Sequence, residues 1–140
     1  EHTFQLLTKN APRLRLFDFP RNVWVGCSMP PDFFMGKLLT QAQKEAMLRV
    51  ALANLSDHRF DEHVTFMSFE PLSWDVAEIV REYPDALHWA VLGAASAWKR
   101  YYQPNPAHVN RLLDVLDANG IPVFFKGNLE WDPRREEFPK

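Results

Sequence analysis

The sequence predicts an α/β fold in which short parallel strands alternate with helices, and three observations carry that prediction. Five runs rich in β-branched, aromatic and aliphatic residues are each bounded by turn formers. Most of these runs are apolar through their middles, which suits strands covered on both faces, as in parallel sheets. Helical patterns lie between most of them.

The five expected strands are residues 3–9, 22–29, 64–72, 89–96 and 122–127. Between the first two, residues 11–19 have room for a short helix, confined by Pro12 and Pro20. Over residues 38–55, Leu38, Ala42, Ala46, Leu48, Leu52 and Leu55 recur at roughly helical spacing, with Lys44, Glu45 and Arg49 as the wet side. Ser73 is expected to cap a helix over 74–83, with Asp75 favouring its positive end and Pro84 stopping it. The last helix, 106–119, opens on Pro106 and closes on Asn119 and Gly120. This β-(α)-β-α-β-α-β-α-β order implies right-handed crossovers. It suits an open doubly wound sheet and a barrel segment equally well. Residues 1–127 form one unit of five βα-type repeats, and residues 128–140 are a C-terminal extension.

A chain of 140 residues fits one domain, and 46% hydrophobic with 24% charged residues is a globular balance, not a disordered one. The net charge of -2 gives the whole no general attraction to nucleic acid or anionic lipid, while leaving room for a local basic patch. Cys27 is the lone cysteine, which excludes an internal disulfide or a multi-cysteine metal cluster from this chain. No apolar run approaches the roughly 20 residues that span a bilayer. Glu1, His2, Thr3 and Phe4 do not begin a signal peptide, so the expectation is a cytoplasmic chain that starts abruptly on a strand, as a fragment would.

Strand alternation sorts the side chains. Gln5, Leu7 and Lys9 oppose Phe4, Leu6 and Thr8; Trp24, Gly26 and Ser28 oppose Val25, Cys27 and Met29; Phe66, Ser68 and Glu70 oppose Thr65, Met67 and Phe69. Phe124 and Lys126 share a face. One face is therefore aliphatic, and the other turns polar toward the strand ends, at Lys9, Ser28, Glu70, Ser96 and Lys126. In parallel α/β folds ligands bind at those C-terminal ends, where loops and helix N-termini converge. Solvent exposure alone would also explain either lysine. Glu70, held extended before Pro71, would equally serve as an acceptor for loop amides, or pair with Lys9 or Lys126 as a structural ion pair.

Other chemistry is absent. No phosphate loop, Cys-x-x-Cys or His-Glu-x-x-His occurs. His58, Asp61, Glu62 and His63 gather possible ligands in what reads as a polar loop, so no metal site is expected. Cys27, on the aliphatic face, reads as a buried unreactive thiol, and Trp24, Trp89 and Trp98 read as packing.

Several words of the sequence resemble one family. They are His2 to Lys9 (His-Thr-Phe-Gln-Leu-Leu-Thr-Lys), Asn22 to Ser28 (Asn-Val-Trp-Val-Gly-Cys-Ser) and Met67 to Leu72 (Met-Ser-Phe-Glu-Pro-Leu). Trp89 to Ser96 and Ile121 to Lys126 complete the set. In this order they are similar to phage-associated, radical-SAM-like proteins of unassigned function. The resemblance implies a partial TIM-barrel-like segment, the C-terminal half of such a barrel, with a [4Fe-4S] cluster and S-adenosylmethionine at the C-terminal strand ends of the full-length family. The cluster cysteines of relatives precede the Gln-Leu-Leu-Thr-Lys strand, so neither group is expected on this chain alone. Lys9, Ser28, Ser68, Glu70 and Lys126 would line the cofactor or substrate pocket. Gly93, Ala94, Ala95 and Ser96 stand where many relatives carry Gly-Gly-Glu-Ser, which removes a carboxylate there. The implied partner is an N-terminal barrel half, or a second copy of the chain by self-association. The competing expectation is a non-catalytic α/β ligand-binding or scaffold domain.

Overall fold

The computed structural model describes residues 2–140, so the first position of the expected 1–127 unit lies outside the described residues. Strand β1 (Phe4–Thr8) leads through a 3-10 helix (Ala11–Leu16) to β2 (Val23–Ser28), a small hairpin of β3 (Phe33–Phe34) and β4 (Lys37–Leu38), and helix α1 (Gln41–Leu55). A 3-10 turn (His58–Phe60) precedes β5 (Thr65–Phe69) and helix α2 (Ala77–Arg81). Then come β6 (Trp89–Leu92), a second hairpin of β7 (Ala95–Ala97) and β8 (Arg100–Tyr102), helix α3 (Pro106–Ala118) and β9 (Val123–Phe125). Among the described residues, no helix is long and apolar enough to cross a membrane.

Five strands form one parallel sheet in the order β1-β2-β5-β6-β9. The order never reverses, so the sheet lacks the switch point of a doubly wound fold. Two apolar clusters identify its faces. The larger joins Val25, Cys27, Met67, Phe69, Leu92 and Phe125 of the strands to Leu48 and Leu52 of α1, Val80 of α2, and Leu112 and Leu116 of α3. The smaller joins Phe66, Trp89 and Val91 to Trp24, Val64 and Phe124, and includes no helix residue. All three α-helices therefore pack on one face, where each buried leucine contributes about 2 kcal/mol. Among the described residues, no helix covers the opposite face.

Local chemistry adjusts several expected boundaries. Every expected strand is shorter at one or both ends. Helix α1 starts later than read, because Thr40 and Gln43 form a capping box, each side chain bonding the other's backbone amide. Leu38 thus belongs to β4 and is exposed. Lys44, expected on the wet side, is buried: its ammonium meets Asp32 at 2.7 Å and lies over the Trp74 ring. Ser73 does not cap α2; the side chain of Asp75 accepts from the Ala77 amide instead. Helix α3 is capped by Asn105 and stops at Gly120, which adopts φ +65.

The C-terminal residues form a strap along β9. The Phe125 amide donates to the Arg135 carbonyl, the Glu137 amide to the Val123 carbonyl, and Phe124 bridges antiparallel to Glu136. Phe138 then stacks on Trp89 with centroids 5.4 Å apart, and the Trp89 indole donates to the Glu137 carbonyl. This strap satisfies backbone groups that the sheet margin would otherwise leave open.

Candidate functional site

The helix-free face is built in rows by the strand register. Gly26, Phe66 and Trp89 lie side by side on β2, β5 and β6; one step nearer the C-terminal ends stand Ser28, Ser68 and Val91, with Phe124 on β9. One step further, Glu70 falls beside Gly93, and Gly93 beside Lys126. The face therefore has an aromatic floor and a polar rim. In the floor, Trp24, Phe66, Phe124 and Phe138 surround Trp89 at centroid distances of 5.4 to 6.1 Å.

Two glycines make this arrangement possible. Gly26 lies under the Phe66 ring, where a Cβ would come within 2.4 Å of the ring carbons. Gly93 lies under the Glu70 side chain, where a Cβ would meet Cγ at 2.9 Å. Glu70 and Lys126 stand two strand spacings apart, roughly 10 Å at the backbone. With no side chain on Gly93 between them, they close to 2.5 Å. Asn128 completes the cluster. Its side-chain amide donates to the Ala94 carbonyl at 2.9 Å and approaches Glu70 at 3.4 Å, while its carbonyl accepts from the Ala94 amide at 3.2 Å. The arrangement offers a carboxylate, an ammonium and a carboxamide at one mouth, enough to orient a ligand bearing both charges.

Of the sequence-derived site residues, the structure joins Glu70 and Lys126 directly. Ser68 lies one row below Glu70 on the same face and is buried. Ser28 stands in the same row as Ser68, and with Lys9 it also borders a separate, largely apolar cavity of about 450 Å³ lined by Cys27, Phe34, Met47 and Val50. The alternative Glu70–Lys9 pair is not made, because Glu70 reaches toward β9 and away from β1. Ser96 leaves the rim altogether. Its strand ends at Leu92, and Ser96 stands exposed in the β7–β8 hairpin.

Asn128 escaped the sequence reading because it follows the strand and its partner is a backbone unit remote in sequence. The Lys44–Asp32 pair escaped for the converse reason, since a lysine in a helix pattern reads as solvated. Burial pushes the Asp32 carboxyl up, but hydrogen bonds from Lys44 and Ser73, with the Lys44 charge, hold it below the usual range. Trp98 also departs from expectation. Trp24 and Trp89 pack as read, whereas Trp98 occupies a hairpin tip and is 102% exposed.

The cysteine and the histidine-containing loop have separate surroundings. Cys27 is 1% exposed beneath the helices, and burial pushes its thiol up to about 12. A protonated thiol on the helix-covered face does not fit an iron–sulfur ligand. His63 faces the Phe19 carbonyl at 3.2 Å and Glu62 pairs with Arg21, so the residues of that loop turn to separate partners. Among the described residues, no group of three or more His, Cys, Asp or Glu side chains converges.

Compared with known proteins, the chain matches one family model, described as a protein of unknown function (DUF5131), over residues 1–138. No curated protein and no solved structure matches it.

Proposed function

We propose that this chain, which belongs to the DUF5131 family, is the pocket-wall part of a radical-SAM-like barrel. In this reading it supplies binding groups for a cofactor or substrate and no ligand for the iron–sulfur cluster. The observation that supports it is the Glu70–Lys126–Asn128 cluster at the C-terminal end of a helix-free sheet face. A sheet whose strands run in sequence, with every α-helix on one side, has the layout of a barrel wall. The inner face of such a wall carries layers of side chains and its ligand site at the C-terminal ends. The aromatic floor is the packed layer here, and the polar rim is the site.

Glu70 would take up an amino group or ribose hydroxyls, and Lys126 a carboxylate or phosphate, each exchanging its present partner for the ligand. A zwitterionic amino-acid moiety, such as that of S-adenosylmethionine, satisfies both at once. Because the wall is open on one side, the chain alone is expected to bind such a ligand weakly. Further strands would pair along β1, whose outer edge carries the half-exposed Phe4 and Leu7.

The test is an amide-resolved NMR titration with S-adenosylhomocysteine, a stable analogue. Shifts are expected at Ser68, Glu70, Gly93, Ala94, Lys126 and Asn128, and their loss in Glu70→Gln and Lys126→Met. No shift at the rim, or shifts indifferent to both substitutions, would overturn the reading and favour a scaffold domain.

A further inference from the structure

The β7–β8 hairpin is the part of the chain that folding does not explain. Its strands pair Ala95 with Tyr102, Ser96 with Tyr101 and Ala97 with Arg100, leaving Trp98 and Lys99 as a two-residue turn. Residues of a ribbon alternate between two faces, and one face normally packs on the protein. Here the packing is slight: Tyr102 borders a small cleft beside Pro71, yet every residue from Ser96 to Tyr102 is exposed. Tyr101 and Tyr102 are 58% and 55% exposed, and Trp98 is fully so. Opposite Arg100 and Tyr102 stand only the methyl groups of Ala97 and Ala95, so nothing on the ribbon covers them.

The tip is also costly. Trp98 adopts φ 58, a region that glycine or asparagine fills in tight hairpins. Folding gains nothing from a tryptophan there, since the indole touches no core. The charges point the same way. Arg15, Arg21, Arg49, Arg59, Arg81, Arg111, Arg134 and Arg135 all pair with carboxylates. Among the described residues, Lys99 and Arg100 have no carboxylate within ion-pair distance; Lys9, Lys37 and Arg13, which lies over the Phe17 ring, share that condition but stand apart from one another in the sequence. The base of the arm, in contrast, is fixed. Gln103 donates to the Asn128 carbonyl and accepts from the Glu130 amide, while Asn128 grips Ala94 on the other strand.

We propose that this hairpin is a contact arm for single-stranded nucleic acid. Three flat rings and two unpaired cations within five successive residues match what an unpaired strand presents: base faces to stack and phosphates to neutralise. Residues 95–103 contain no aliphatic side chain larger than alanine, which sets this arm apart from the β3–β4 hairpin with its exposed Phe33, Met35 and Leu38. An arm for an apolar protein groove would carry such residues. Duplex DNA is disfavoured because its base faces are already stacked. The anchored base holds the rings in place before contact, which lowers the ordering cost of binding. Tyr102 also lines the small cleft formed with Pro71, Leu72 and Ser73, so a base stacked on it sits beside the loop that follows Glu70. The proposal does not depend on what Glu70 and Lys126 bind.

Fluorescence anisotropy of end-labelled oligothymidylate and oligouridylate, with a duplex of equal length, tests the arm on the whole chain at low salt. The single strands should bind more tightly than the duplex, with affinity falling as salt rises. Trp98→Gly, which relieves the backbone conformation, should weaken binding roughly fivefold or more without lowering the thermal midpoint. Replacing Lys99→Glu and Arg100→Glu together should flatten the salt dependence, with the circular dichroism spectrum unchanged. Lys37→Glu, on the other hairpin, should alter neither. Absence of saturable single-strand binding, equal binding by Trp98→Gly, or a duplex bound at least as tightly would overturn the proposal.

Discussion

At the scale of single residues, the largest constraints are imposed by what is missing. Gly93 lets Glu70 cross β6 to reach Lys126, and a methyl group there would strike the Glu70 side chain at 2.9 Å. Gly93→Ala is therefore expected to separate the pair and abolish the rim shifts in the titration above. The stability cost should stay within about 1 kcal/mol, as for other partly exposed pairs. A loss of several kcal/mol on urea denaturation would make the pair a structural fixture instead. Cys27 carries a pH signature. Its thiol is raised to about 12 by burial, so the stability it contributes is fully present below the pKa of a free thiol, about 8.5. That contribution is lost as pH rises from there, since the unfolded chain ionises first. Cys27→Val should thus lose less stability than the wild type between neutral and alkaline pH. After anaerobic incubation with iron and sulfide, the wild-type chain should show no cluster absorbance; a stoichiometric cluster would contradict the buried, protonated thiol.

At the scale of elements, the C-terminal strap decides how the sheet ends. It pairs with β9, inserts Phe138 against Trp89 and places the Glu137 carboxylate on the Val123 amide at 2.8 Å. Arg135 bonds Glu137 and lowers its carboxyl, against the opposing effect of burial, and the Val123 amide lowers it further. The stability from this contact is present above the ordinary carboxyl pKa, about 4.3, and is lost as pH falls below it. Acidification should release the strap, with a red shift of tryptophan emission that precedes global unfolding. Phe138→Ala should cost about 1 kcal/mol and produce part of that shift at neutral pH. An emission spectrum unchanged by both would mean that the strap does not cover Trp89 in solution.

At the scale of the whole molecule, the two margins of the sheet differ. The strap occupies the β9 margin, while β1 pairs only with β2 among the described residues and leaves Phe4 59% and Leu7 50% exposed. An uncovered parallel edge of this kind is a template for another strand. The isolated chain should therefore self-associate through β1, giving at least twice 16.4 kDa by light scattering at high concentration. Leu7→Lys, on that margin, should restore a single-chain mass. A wild-type chain that remains at 16.4 kDa throughout would refute self-association.

The sequence by itself determined the α/β class, the five strands, the parallel pairing and which residues share each face. These follow from periodicity, and periodicity is local. It marked Cys27 as buried and put Ser68, Glu70 and Lys126 on one face, because alternation along a strand needs no knowledge of its neighbours. Only the tertiary structure decided what depends on lateral order. The helices lie on one side because the strands are laid down in sequence without a reversal. Glu70 chose Lys126 over Lys9 because the glycine that clears its path directly follows β6, which lies between β5 and β9. Lys44 turned inward because Asp32 and Trp74, distant in sequence, waited to receive it. The β7–β8 hairpin stayed hidden in the sequence since Trp98 occupies a turn position of positive φ, where a usual turn residue would have announced it, and the β3–β4 hairpin, turning at Met35 and Gly36, has strands of only two residues each. Pairing across strands is set by register and by the shapes of residues far apart in the chain, and no pattern within a single strand encodes it.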